Sequence, residues 1–162
     1  MRRPGLLCKS NFSVVGRDLD PEMVTRVLGI APDKAFKRGE QSFAWNRDGT
    51  FDYSRPTPYK HSKGSWLKSI NKSFWIQFVP EHLAHWSEFL RAHEGSFRQW
   101  LSEGSNIAIS FYIDWAPTDF CVSAQIMKVL GDFGVELCFG VWPPECFSEP
   151  LTDEEMKEFE EK

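Results

Sequence analysis

The chain has 162 residues, of which 41% are hydrophobic and 15% aromatic, and its formal net charge is −4 at pH 7. This length fits one domain with a full core, and the aromatic content excludes a largely disordered chain. The acidic net charge argues against a dedicated nucleic-acid binder. The sequence contains no run of 18 apolar residues, which is the length that would indicate a transmembrane helix.

The first elements expected along the chain are a strand and a helix. Apolar Phe12 and Val14 stand at alternate positions, which is the period of two that a strand with one buried face requires. Asp20 is a suitable N-cap, and Pro21 takes the favoured first position of a helix. The pattern predicts a helix over residues 21–28.

Residues 31–73 form a basic and aromatic insert. This segment holds nine Lys and Arg against four acids, a net charge of +5. Residues 41–53 predict a small hairpin, whereas 55–64 predict a loop because two prolines separated by one residue disrupt strand pairing. Strands are expected over 65–70 and 74–79.

The clearest pattern in the chain is a strand–helix–strand unit near its C-terminal end. Alternating apolar residues predict strands over 107–113 and 135–141. A helix over 124–133 lies between them, with Ser123 as its N-cap and Gly134 as a left-handed stop. This unit specifies a fold but no reaction.

The N-terminal strand and helix weakly resemble that unit in their sequence pattern. Apolar residues follow the two N-caps at the same offsets, three, four and seven positions on. These residues are Met23, Val24 and Val27 in the first unit and Ile126, Met127 and Leu130 in the second. The match predicts two weak strand-helix-strand repeats, although any amphipathic helix after a strand produces a similar pattern.

With a further amphipathic helix over 80–102, ended or bent at Gly95, these elements predict an α+β fold. We expect a mainly antiparallel sheet of about five strands with the helices on one face, in a ferredoxin-like arrangement. Residues 1–144 are expected to form one domain. Residues 145–162 carry eight acids against two lysines and predict an acidic tail with a short helix.

Several short motifs resemble a known family, the bacterial family called domain of unknown function 4279. The motifs are Phe12–Val15, Asp18–Glu22, Leu28–Ile30, Lys37–Gly39, Gly64–Trp66, Glu81–Leu83 and Ser123–Trp142. The resemblance spans about residues 10–142 and implies a fold and a bacterial source. The family has no established reaction, so it implies no site residues. This chain departs from the pattern in its insert between Gly39 and Gly64 and in its acidic tail.

No motif indicates an enzyme or a cofactor. His82 and His85 are three residues apart, whereas a metal-binding helix usually shows a spacing of four and a distant third ligand, so no metal is expected. Cys121 and Cys146 are the candidate nucleophiles, but the sequence provides neither with a base. We expect a non-enzymatic protein that needs no cofactor.

The four cysteines form no CxxC pair, and the N-terminus builds no signal-peptide core. Cys8 and Cys138 fall in strand patterns, where thiols serve as small buried apolar groups. We therefore expect reduced cysteines and a cytoplasmic protein that does not enter a membrane.

Two kinds of binding remain open. Tyr112 and Trp142 alternate with core positions, so an aromatic sheet face could stack single-stranded nucleic-acid bases or hold a small molecule. The acidic net charge makes nucleic acid the weaker alternative.

Protein binding is the favoured interpretation, because interfaces use Trp, Tyr and Arg anchors and the insert concentrates these residues. The partner is unidentified, and small acidic proteins without catalytic motifs include immunity proteins that neutralise toxins. An alternative for Trp45 and Trp66 is that they cover the sheet as core. The candidate binding residues are Arg38, Trp45, Arg47, Tyr53, Arg55, Tyr59, Lys60, His61 and Trp66.

Overall fold

The computed structural model describes residues 8–45, 51–70, 79–114 and 121–142. These ranges contain seven strands and four helices. In chain order they are β1 (Cys8–Gly16), α1 (Pro21–Leu28), β2 (Lys34–Phe36), β3 (Gln41–Trp45), β4 (Phe51–Lys60), β5 (Gly64–Ile70), α2 (Val79–Ala92), α3 (Glu94–Ser102), β6 (Asn106–Asp114), α4 (Ala124–Asp132) and β7 (Glu136–Trp142).

Five of the strands form one sheet in the order β2-β5-β1-β6-β7, and β3 and β4 form a separate two-stranded sheet. Within the large sheet the pairs β2–β5, β5–β1 and β1–β6 are antiparallel, and β6–β7 is parallel. The mainly antiparallel α+β fold predicted from the sequence is therefore confirmed. The order and directions of β1, β2, β5 and β6 match those expected of a ferredoxin-like unit, to which α4 and β7 add one more strand.

The core lies between one face of this sheet and the helices. Phe12 and Val14 of β1 pair with Ile109 and Ile107 of β6, and all four side chains are fully buried. Trp66 of β5 lies opposite Val14 and is also fully buried. One apolar cluster includes these strand residues together with side chains from all four helices. The expectation that the helices pack on one face is thus met.

Local signals explain where two helices begin and end. The Asp20 carboxylate accepts a hydrogen bond from the Glu22 N–H at 3.1 Å, and Gly29 ends α1 with φ +66°. The Ser123 hydroxyl oxygen accepts a hydrogen bond from the backbone N–H three residues on, at 3.3 Å, and Gly134 follows α4 with φ +58°. The caps at Asp20, Ser123 and Gly134 are those predicted from the sequence.

At two of the three matched offsets in the two strand–helix units, burial differs. Four residues after its N-cap, Val24 is fully buried in α1, whereas Met127 of α4 is 48% exposed. Seven residues after the cap, Val27 is 45% exposed, whereas Leu130 is buried. The two helices therefore turn different faces to the core, and the similarity of their sequences reflects amphipathic spacing.

Two boundaries differ from the prediction. The helical segment after residue 79 breaks at His93, which precedes α3, whereas Gly95 lies inside α3. Of the strand expected over 74–79, only Val79 lies in the described residues, and it begins α2. The rest of that strand, the tail 145–162 and Cys146 lie outside the described residues.

The largest correction concerns residues 55–64, for which the sequence predicts a loop. β4 continues through both prolines to Lys60. On a strand, the backbone nitrogens of residues two positions apart point to the same edge. Pro56 and Pro58 can therefore both lie along the outer edge of β4, which pairs with no described strand. A two-stranded ribbon has such an edge, whereas the interior of a larger sheet does not.

Candidate functional site

The most prominent surface feature is an arm, which we define as residues 37–63 and which contains β3 and β4. It leaves the large sheet between β2 and β5, which pair at the sheet's edge. At its base the Gly39 N–H donates to the His61 carbonyl at 2.8 Å, and the His61 N–H donates to the Glu40 carbonyl at 2.9 Å. The Phe36 and His61 rings stack 4.1 Å apart and nearly parallel, at 5°. Backbone hydrogen bonds between the two chain segments thus continue from the large sheet into the arm. The stacked rings of Phe36 and His61 lie at the base of the arm.

Ion pairs connect the base of the arm to the start of α1. The Lys37 ammonium lies 2.7 Å from the Glu22 carboxylate and 3.7 Å from that of Asp20, and its hydrogen bond to Glu22 raises the pKa of Lys37. The Arg38 guanidinium lies 2.9 Å from the Asp18 carboxylate. These contacts are exposed and individually weak, but together they restrict the direction in which the arm leaves the domain.

Within the arm the ladder between β3 and β4 is irregular. Phe43 pairs with Pro56, but the next residue, Ala44, pairs with Asp52. Residues 53–55 therefore have no counterpart on β3 and form a bulge in β4. Bulges redirect side chains and stop a strand from offering a regular edge.

The carboxylate of Asp52 organises this bulge. It accepts hydrogen bonds from the Ser54 N–H at 3.0 Å, from the Ser54 hydroxyl at 2.5 Å and from the Arg55 Nε at 2.5 Å. The bonds from Ser54, followed by the one from Arg55, lower the pKa of Asp52 below its ordinary value of 3.8. An ionised Asp52 is thus the species that holds the bulge in place.

Replacing Asp52 with Asn is expected to loosen the bulge while leaving the domain folded, because no core residue is touched. Amide hydrogen exchange of residues 52–60 should rise several-fold relative to the native chain, and exchange in β1 and β6 should not change. Because the pKa of Asp52 is lowered on folding, its stabilisation is present above the ordinary pKa and is lost as the pH falls through the lowered value.

A matched Asp33→Asn variant is the control, since Asp33 also accepts bonds, from Lys68 and from the Ser69 N–H, but lies outside the arm. Unchanged exchange of residues 52–60 in Asp52→Asn would contradict the assigned role of Asp52.

The arm presents two tyrosines to solvent. Tyr53 is 72% exposed and Tyr59 is 73% exposed, the highest values among the large hydrophobic side chains described. The Tyr53 ring packs on Phe43, with centroids 5.1 Å apart. The Gln41 amide donates to the carbonyls of Thr57 at 2.6 Å and Tyr59 at 3.2 Å, which holds this part of β4 in position. Both tyrosines therefore project from an organised backbone.

The structure separates the nine predicted binding residues into several environments. Tyr53, Tyr59 and Lys60 are exposed on β4. Arg38 and Arg55 are exposed but are paired with Asp18 and Asp52, and His61 is half-buried in its stack on Phe36. Arg47 and the side chain of Trp45 lie outside the described residues.

Trp66 is a correction to the predicted surface. It is fully buried, and its indole N–H donates to the Thr25 hydroxyl at 3.1 Å, so it joins β5 to α1 within the core. Trp66 lies opposite Val14 in the sheet, so the alternative that it covers the sheet as core is the one that the structure supports. Phe43 and Asp52 were not among the predicted residues, because their roles depend on the irregular register of the arm.

Much of the insert's positive charge is neutralised locally. In addition to Lys37, Arg38 and Arg55, the Lys68 ammonium lies 3.2 Å from the Asp33 carboxylate. Lys60 and Lys63 are exposed cations that make no ion pair among the described residues. The insert thus presents much less positive charge than its composition suggests, which weakens the nucleic-acid alternative.

A buried polar cluster joins β1 to α2 and superficially resembles a catalytic pair. The Ser10 hydroxyl lies 2.6 Å from His82 Nδ1, and the Trp86 indole N–H donates to the same hydroxyl at 2.9 Å. Ser10 is fully buried, while His82 and Trp86 are 1% and 2% exposed. His82 packs edge-on to Phe111, and burial, with a smaller effect of His85, lowers the pKa of His82 to about 4. No substrate could reach this hydroxyl, so the cluster is a packing element.

Other candidates for chemistry are unsupported in the described part of the chain. No group of three potential ligands that could hold a metal ion occurs in it. Cys121 and Cys138 are both free and exposed, so the expectation that Cys138 is buried was wrong, while the side chain of Cys8 lies outside the described residues. β7 is an edge strand, which explains the exposure of Cys138.

The clefts found on the described surface are shallow. The first lies between α1 and β2, has a volume of about 180 Å³ and is lined by Thr25, Phe36 and Lys37 among others. The second lies between α2 and α4, with a volume of about 200 Å³. Small-molecule sites usually enclose at least about 300 Å³, so neither cleft favours the small-molecule alternative.

The described helices are too short or too polar to cross a bilayer.

Comparisons with known proteins identify a family but no characterised relative. A family model described as Domain of unknown function (DUF4279) matches residues 7–143. No curated protein matches the chain, and no solved structure matches it. The matched range covers every strand and helix described above.

Proposed function

Because the chain belongs to the family described as Domain of unknown function (DUF4279), whose description states no activity, we propose from its own geometry that it is a non-enzymatic protein-binding module. The proposed contact surface is the arm, centred on Tyr53 and Tyr59, and the exposed Lys60 and Lys63 follow Tyr59 in the chain. The observation that carries the proposal is the exposure of both tyrosines on an organised strand.

Exposed tyrosines are effective anchors in protein interfaces. A tyrosine buries a large apolar ring, keeps a hydroxyl for hydrogen bonding and loses little side-chain entropy, which explains its enrichment among binding hot spots. The core cluster contains no residue of the arm among the described residues. Stability of the domain therefore does not account for these two rings.

The distribution of charge favours a protein over a nucleic acid as the partner. Arg38 and Arg55 are held by acids of the same chain, so that a phosphate would have to compete with existing ion pairs. Lys60 and Lys63 are too few for a polyanion but suit an acidic residue on a protein surface. We propose the immunity type of binder, which neutralises a toxin, as the specific role; it rests on analogy of size and net acidity.

The proposal predicts that Tyr53→Ala combined with Tyr59→Ala weakens partner binding by about 10-fold or more, because truncated hot-spot aromatics cost about 1–2 kcal/mol each. Proteins captured from the source cells by the full chain would be identified and purified. Their affinity for the native chain and the variant would then be measured by calorimetry.

Val27→Ala combined with Met127→Ala is the matched control, since both side chains are exposed and apolar but lie on α1 and α4. Equal losses in both double variants would overturn the assignment of the arm. A captured nucleic acid whose affinity falls steeply with salt would replace the proposal with the nucleic-acid alternative.

A further inference from the structure

The pairing of Pro56 determines which way the backbone of β3 points. Opposite residues in an antiparallel pair are either hydrogen-bonded to each other or not bonded to each other. Pro56 has no N–H, so its pair with Phe43 must be of the second kind. In such a pair the backbone groups of both residues point away from the partner strand. The N–H and carbonyl of Phe43 therefore point to the outer edge of β3.

The two outer edges of the arm differ in how they are protected. Exposed edges invite pairing with another chain, and proteins block them with prolines, charges and bulges. The edge of β4 has Pro56 and the bulge at 53–55, and Pro58 follows two residues later. β3, which reads Gln-Ser-Phe-Ala-Trp over Gln41–Trp45, has no proline and no charged side chain. In the described structure its only partner strand is β4. Among the described residues, the outer edge of β4 is protected against pairing, and the outer edge of β3 has no such protection.

We propose that β3 pairs with β3 of a second copy of this chain, antiparallel about a two-fold axis at Phe43. In this register Phe43 lies opposite its own copy, and the two residues exchange both N–H···O hydrogen bonds. Ser42 lies opposite Ala44 of the other copy, and Gln41 opposite Trp45. The result is a four-stranded sheet in the order β4-β3-β3-β4, with the protected edges outermost.

A second copy fits this edge better than a charged partner. β3 carries no charge, so self-pairing places no like charges opposite each other. A two-fold interface needs only one self-complementary segment, and twofold dimers are the commonest homo-oligomers. Five residues form an ordinary strand but a small interface, so the dimer is weak, with a dissociation constant of about 10 μM to 1 mM.

The dimer is independent of the proposed function. It uses the edge of β3, whereas partner binding is assigned to side chains of β4. Tyr59→Ala is therefore expected to weaken partner capture and to leave self-association unchanged, so that failure of one proposal can be distinguished from failure of the other.

Sedimentation equilibrium of the full chain from about 10 μM to 1 mM tests the proposal. The native chain is expected to be in a monomer–dimer equilibrium. Phe43→Pro removes the outward N–H together with the ring and should weaken the dimer at least 10-fold, because both central hydrogen bonds are lost. Phe43→Ala removes the ring but keeps the N–H and should stay within a few-fold of native affinity.

Phe43→Lys tests the two-fold register without altering the backbone. It keeps the N–H but places two like charges opposite each other, so the dimer should weaken at low salt and recover at 1 M NaCl, where charges are screened over about 3 Å. Phe43→Pro should not recover with salt. Circular dichroism and the unfolding midpoint are expected to match the native chain in every variant, since Phe43 lies outside the core.

Four results would overturn the proposal: a native chain that is monomeric at 1 mM, a Phe43→Pro variant that dimerises like the native chain, a Phe43→Ala variant that loses the dimer as fully as Phe43→Pro, or a Phe43→Lys dimer that does not respond to salt.

Discussion

Replacing Gly64 with alanine is expected to reduce the free energy of unfolding by about 3 kcal/mol or more, because the new methyl group would overlap the backbone of Leu19. The carbonyl oxygen of Leu19 lies over Gly64, and the added methyl carbon would stand 2.9 Å from the Leu19 carbonyl carbon and 3.2 Å from its Cβ. Gly64 pairs with Gly16 across β5 and β1, so the loop before α1 rests on two adjacent glycines. A backbone segment cannot move aside like a flexible side chain.

Urea unfolding followed by tryptophan fluorescence and circular dichroism would measure this loss. Gly95→Ala is the matched control, because its Cβ would contact nothing within 4 Å and alanine is the better helix former, so this variant should gain up to about 1 kcal/mol. Native-like stability of Gly64→Ala would show that the loop at Leu19 can shift freely.

Gly16 provides a second comparison, because there the obstacle is a side chain. A Cβ at Gly16 would overlap the Ser105 hydroxyl and lie 3.2 Å from Ser105 Cβ. Ser105→Ala should therefore restore part of the stability lost in Gly16→Ala, whereas the obstacle at Gly64 belongs to the main chain and no side-chain truncation at Leu19 removes it.

The second large effect expected is a loss of stability in mild acid that depends on His82. Its pKa is lowered to about 4, below the ordinary 6.5, because the ring is buried. Between these values the unfolded chain binds more protons than the folded one, so stability is fully present above about pH 6.5 and declines as the pH falls towards 4. From pH 7 to pH 5 the free energy of unfolding declines by about 2 kcal/mol because of His82. The decline is smaller if water enters the buried polar cluster of Ser10, His82 and Trp86.

The geometry of the cluster explains the preference for neutral histidine. The Trp86 indole N–H already donates to the Ser10 hydroxyl, which in turn can donate to an unprotonated His82 Nδ1. Protonation of Nδ1 would deprive the Ser10 O–H of this acceptor. It would also charge a ring whose Nε2 is buried and has no hydrogen-bond partner in the described structure.

Unfolding free energies measured at pH 7, 6 and 5 for the native chain and for His82→Leu would test this. His82→Leu should be less stable at pH 7, because Ser10 loses its partner, but its stability should change much less between pH 7 and 5. His85→Gln, on the exposed side of the same helix, is the control and should keep most of the native decline. Equal slopes in the native chain and His82→Leu would refute the role of His82.

The candidate site shows where sequence reasoning fails and why. Composition marked residues 31–73 as basic, but composition cannot show that Arg38 reaches Asp18 or that Arg55 reaches Asp52. The rule against prolines in paired strands holds for the interior of a sheet, and one edge of β4 pairs with no strand among the described residues. Trp66 and Tyr53 both looked like binding aromatics, yet one has a partner in α1 and the other projects into solvent.

The sequence by itself determined the α+β class, the strands β1 and β6 and the limits of α1 and α4, since side-chain alternation and caps such as Asp20 and Ser123 act within a few residues. The sequence was also enough to identify the family. Only the tertiary structure decided which aromatics are exposed, which charges are neutralised, and which residue of β3 lies opposite Pro56. Those properties depend on contacts between residues distant in the chain, such as Trp66 with Thr25 and Phe43 with Pro56, and no local pattern encodes such contacts.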